Sequence, residues 1–159
     1  CLDFAVQLGD AWSAEMASKA ALVLPVEGAD LEVAGRLADF AFLQSSNQNF
    51  PPWRSMAKAL AEYRRGHFDS AHEWANHAAT ARDVDFSCQA AAFFIDALAQ
   101  ARLLRNESAR TAFRAGIAVT KQHRANFMLE HWFVRDWVLA DLLRREAETL
   151  LNDRAGLAN

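Results

Sequence analysis

Trp53 to Ala78, WRSMAKALAEYRRGHFDSAHEWANHA, is the stretch that decides the fold. Trp53, Met56, Leu60 and Tyr63 recur at steps of three and four residues, which puts them on one side of a helix. Gly66 breaks that helix, and a second opens at Phe68 with Ala71, Trp74, Ala75 and Ala78 on one side. Two amphipathic helices joined by a tight glycine turn form an antiparallel hairpin. Such a hairpin cannot bury both of its faces alone, so it needs neighbours.

The neighbours are visible as a register. Ala59, Ala71 and Ala78 have counterparts 38 positions later at Ala97, Ala109 and Gly116, while Leu60 matches Leu98 and Arg64 matches Arg102. Upstream, Ala21, Ala34 and Ala41 repeat the pattern with one more residue in the turn. Small side chains at these places let helix axes approach closely. The spacing therefore predicts three degenerate helix hairpins and a cap.

A small residue, Ala twelve positions on and Ala seven further, with Gly66 and Phe68 in the turn, resembles the tetratricopeptide repeat. Ser55, Lys58 and Glu62 stand where that family usually has Trp, Leu and Tyr, and Leu104 stands at the glycine of the second turn. The resemblance implies a right-handed array in which the first helices of the hairpins line a concave, partner-binding side. Carried over, the groove positions are Trp53, Met56, Leu60, Tyr63 and Arg64, then Phe94, Leu98, Ala101 and Arg102. The apolar ones among them equally fit a core between repeats.

Three longer stretches, KAALVLPVEGADLEVAGRLADFA (19–41), PWRSMAKALAEYRRGHFDSA (52–71) and DWVLADLLRREAETLL (136–151), resemble the helical region C-terminal to the kinase domain in some large bacterial serine/threonine protein kinases. That resemblance implies a fragment of a longer, cytoplasmic chain. None of the kinase signatures lies within these residues.

Composition narrows the class. A chain of 159 residues with 52% hydrophobic content suits one folded domain, 1–159. A net charge of −3 gives no basic footprint for nucleic acid. The fourteen Arg against three Lys suit planar pairing with carboxylates, and equally reflect GC-rich coding. Cys1 and Cys88 are too few for a disulfide framework or a zinc site, so a reducing compartment is expected. No apolar run approaches the ~20 residues that cross a bilayer.

Along the chain, Leu2 to Leu8 has room for two helical turns. A helix from about Trp12 to Val23 carries the stripe Trp12, Met16, Ala20 and Val23, and Asp30 is the expected N-cap of the next. The three hairpins span about 12–45, 51–80 and 85–121. Gln122 to Glu130 is ambiguous. The last helix, about 131–152, shows Trp132, Phe133, Trp137, Leu139, Leu142, Leu143 and Leu150, with Arg144, Arg145, Glu146 and Glu148 crowding the other side. An open stack ends with such a helix to cover its final apolar face. The fold expected is all-α.

Candidate chemistry is thin. His72 and His77 are five apart, about 140° around a helix, whereas a zinc helix wants its histidines four apart. Asp83 and Asp85 sit at a helix start, where capping explains them. Cys88 reads as a small buried filler. Isolated glycines make no phosphate cradle. Neither a catalytic residue nor a metal or cofactor is expected. The reading is a protein or peptide interaction module, with Arg64 and Arg102 pairing with acidic groups on a partner. A spacer or dimerisation segment and a small-molecule sensor are the alternatives, and the oligomeric state is open.

Overall fold

The computed structural model describes residues 10–44, 51–123 and 134–156, and every regular element among them is helical. The expectations for Leu2 to Leu8, Gln122 to Glu130 from residue 124 on, Trp132 and Phe133 fall outside the described residues. The elements are α1 (Ala11–Leu22), α2 (Gly28–Leu43), α3 (Pro52–Arg64), α4 (Phe68–Thr80), α5 (Phe86–Arg102), α6 (Asn106–His123) and α7 (Val134–Gly156).

Pro51 and Pro52 open α3, where a missing N–H costs nothing because the first turn has no intrahelical acceptor for it. The exit of α3 is a double turn: Gly66 N–H donates to the Tyr63 carbonyl and His67 N–H to the Glu62 carbonyl. At its centre Gly66 has φ +85°, a conformation that suits a residue without Cβ. The same bonds recur 38 residues on, from Leu104 to Ala101 and from Arg105 to Gln100. There the left-handed position, φ +63°, is held by a leucine.

Packing follows the register. Ala59, Ala71, Ala78, Ala97 and Ala109 are all wholly buried, as are Ala34 and Ala41. Leu60 and Leu98 are likewise wholly buried. Each such leucine contributes about 1.5–3 kcal/mol by leaving water. Consecutive helices fold back on one another: α1 on α2, α3 on α4, α5 on α6. In addition α3 touches α1 and α5, and α4 lies against α5. An edge-on contact of Phe42 in α2 with Trp74 in α4, 4.5 Å between ring centres, joins the even helices.

Helix α5 is the hub, packed on α3, α4, α6 and α7. Its sequence FSCQAAAFFIDALAQAR explains how one helix serves four neighbours: alanines on several sides allow close approach, and Phe94, Ile95 and Leu98 fill the gaps. The Phe94 ring presses against Phe113, 5.7 Å between centres, and against Gly116 of α6. A Cβ at Gly116 would lie 2.6 Å from that ring, so the register position held by alanine at residue 78 must be glycine here.

Two sequence expectations are corrected. The buried side of α1 is Ala14, Glu15, Ser18, Lys19 and Leu22, not the stripe through Trp12, which is 65% exposed. Helix α2 begins at Gly28 with Glu27 before it, so Asp30 lies in the first turn and favours the helix dipole without capping. The last helix packs chiefly on α5 and less on α6, the two helices before it.

Candidate functional site

The site is the surface where α1, α3 and α5 meet α7. Its organising residue is Arg64, the last of α3, whose side chain is 5% exposed. Nε donates to the Leu22 carbonyl at 2.8 Å and Nη2 to the Val23 carbonyl at 2.9 Å, serving acceptors that the end of α1 leaves without helical partners. Nη1 and Nη2 also grip Glu146 of α7, at 2.6 Å to Oε1 and 2.7 Å to Oε2. A planar guanidinium holds four acceptors in this way; an ammonium has neither the fork nor the reach.

Tyr63 completes the grip. Its hydroxyl lies 3.3 Å from Glu146 Oε1, and its ring lies beneath Arg64, 5.2 Å from ring centre to guanidinium carbon. Burial, then the Glu146 carboxylate, pushes the phenol above its usual range, against the pull of Arg102 and Arg64.

A second polar contact secures the N-terminal end of α7. Lys19 of α1, 5% exposed at its side chain, donates to Asp136 at 3.1 Å and pairs with Glu15 at 2.7 Å. Burial works against the charged ammonium, but Glu15 and Asp136 outweigh it and hold the Lys19 pKa above the ordinary lysine range. Glu15 moves up as well: its burial exceeds what it gains from a cation shared with Asp136.

Asp136, Leu139, Ala140, Leu143, Glu146 and Ala147 recur at three and four residues, so the two acids flank one apolar stripe on α7. Leu139, Ala140, Leu143 and Ala147 on that stripe are buried. The acids are separated by about 15 Å of helix, ten residues at ~1.5 Å each. The facing side supplies one cation for each.

The residues expected to line a groove divide sharply. Met56, Leu60, Phe94 and Leu98 are core, and so is Ala101; their apolar surface is spent on the chain's own packing. Tyr63 and Arg64 are covered by α7, and the Arg64 donors already serve Leu22, Val23 and Glu146. Trp53 is 40% exposed, and Arg102 is exposed beside Tyr63. Sequence reasoning missed Lys19 and Glu146. It placed Glu146 on the outer, charged side of the last helix, although its spacing from Leu139, Ala140 and Leu143 puts it on the packed side.

His72 and His77 diverge, the first to Asp96 of α5 at 2.7 Å and the second to the Ser55 hydroxyl of α3 at 3.1 Å. Among the described residues, no group of three or more His, Cys, Asp or Glu is placed to hold a metal. Cys88 is buried, and burial raises its thiol well above the ordinary cysteine range, which leaves it a poor nucleophile. Asp85 caps α5 through the Cys88 N–H at 2.9 Å. Among the described residues no helix is long and apolar enough to cross a membrane. A half-open cleft of about 590 Å³ lies between α6 and α7, lined by Thr120, Lys121, Trp137 and Asp141.

Compared with family models, curated proteins and solved structures, the chain matches none.

Proposed function

We propose that this chain is a tetratricopeptide-like interaction module that binds a protein or peptide, as an accessory region of a larger bacterial signalling protein such as a serine/threonine kinase. The contact order supports the hairpin array: each helix lies on the next, and α1, α3 and α5 follow one another along one side. The two turns with matching bonds 38 residues apart support a repeating unit. One observation carries the binding role. The face of the odd-numbered helices already takes a helix that buries Trp137, Leu139 and Leu143, with Arg64 gripping a carboxylate through both of its oxygens.

The test places a photo-reactive amino acid at position 53 in cells that express the native chain. The expected result is one discrete adduct with another protein that fades when Arg102→Glu is added. Adducts that are diffuse, or indifferent to Arg102→Glu, would contradict the reading.

The small-molecule alternative has the cleft beside Trp137 in its favour. A ligand there would change Trp137 fluorescence and lose its binding on Lys121→Glu, a change that leaves a partner on the odd-helix face bound.

A further inference from the structure

We infer that the α1–α3–α5 face is a receptor for a helix with two carboxylates ten residues apart beside buried apolar residues, and that α7 is the occupant the chain supplies to itself. This rests on the interaction reading above and names its partner class.

The placement of α7 is the first reason. If the array simply continued, the helix after α6 would lie on both members of the preceding hairpin, as α5 lies on α4 and α3. Instead α7 has little contact with α6, lies on α5, and reaches α3 through Glu146 and α1 through Asp136. It crosses the odd helices as a bound helix would.

The second reason is how it is held. Lys19 and Arg64 are each 5% exposed at the side chain, and each pairs with an acid of α7. Between the two ion pairs α7 buries Trp137, Leu139, Ala140 and Leu143, and Ala147 follows just beyond Glu146. Apolar contact gives this face its hold on a helix, and two charges a fixed length apart select which helix and in which register. A partner helix with acids at the same spacing and apolar residues between them would compete with α7. Arg102, exposed beside Tyr63, offers such a partner a further guanidinium.

The test uses a fluorescein-labelled synthetic peptide of residues 134–156, titrated by fluorescence anisotropy against the whole chain and against its Glu146→Arg variant. The native chain, with its face filled, is expected to bind at least tenfold more weakly than the variant. A peptide carrying Asp136→Asn and Glu146→Gln is expected to lose at least tenfold in affinity for the variant. Equal binding by both chains, or no binding by a folded variant, would overturn the inference.

If Glu146→Arg fails to fold, hydrogen exchange on the native chain decides. Amides of Leu139 to Ala147 exchanging at least tenfold faster than those of Ala90 to Ala101 would support a releasable α7. Equal rates would make α7 a permanent part of the fold and overturn this inference alone. The interaction reading is judged separately, by the adduct at position 53.

Discussion

Arg64 and Glu146 stand 82 residues apart in sequence and meet through two hydrogen bonds of 2.6 and 2.7 Å, while the same guanidinium closes the end of α1. One side chain thereby ties three helices together. Arg64→Lys keeps the charge but cannot serve four acceptors, and it leaves a buried carbonyl unpaired. The expected cost is about 1–3 kcal/mol, read as a lower urea midpoint with unchanged slope. An unaltered midpoint would mean that the fork is dispensable.

Leu104 occupies a left-handed position where Gly66 stands in the equivalent turn, and it is 72% exposed. Leu104→Gly removes the steric strain and sacrifices little packing. Strain of about 1–2 kcal/mol is relieved, partly offset by the greater freedom of glycine in the unfolded chain. A net gain of about 1 kcal/mol is expected in thermal or urea unfolding, and the reverse change, Gly66→Leu, should destabilise.

Gly116→Ala should behave unlike an ordinary helical glycine substitution. Alanine usually favours a helix by about 1 kcal/mol. Here its Cβ would meet the Phe94 ring at 2.6 Å, in a core where that ring is 1% exposed. A net loss of about 1–3 kcal/mol is expected. Adding Phe94→Leu should recover part of it, which calorimetry on the single and double variants would show.

The pH dependence has two opposed contributions. Burial works against the charged Asp39, but hydrogen bonds from Arg65 and Lys58 outweigh it and hold its pKa below the usual range; Glu62 is likewise lowered through Lys58 and His67. Both groups stabilise the fold above the unfolded carboxylate range, and that stability is lost as pH falls through their folded values. Asp96 goes the other way: burial raises it, against the pull of His72, so its contribution is present at low pH and lost on the way up. Between about pH 3 and about pH 5, around the ordinary carboxylate values, Asp39→Asn should flatten the rise of the urea midpoint with pH and Asp96→Asn should steepen it.

How far the sequence could be read depended on what each residue answers to. The turn at Gly66 and the Asp85 cap answer to local backbone chemistry, and both stand where the sequence put them. The alanine register answers to helix spacing, and those alanines are buried. Lys19 and Glu146 answer to a partner more than 80 residues away, and a hydropathy pattern assigns such charges to water. For the same reason the buried side of α1 was misplaced: Glu15 and Lys19 go inside as a pair, which no amphipathic stripe reveals. Leu104 was a departure from the turn pattern in sequence, yet the backbone takes the same path through it.

The position of α7 across the odd helices is tested most directly by a double-mutant cycle on Arg64 and Glu146. Arg64→Met, Glu146→Gln and the double variant are unfolded in urea, and the coupling is taken from the three losses. Direct pairing requires a coupling of about 1–3 kcal/mol, with the double variant losing less than the sum of the singles. Losses that add within about 0.3 kcal/mol would mean that the two side chains do not meet.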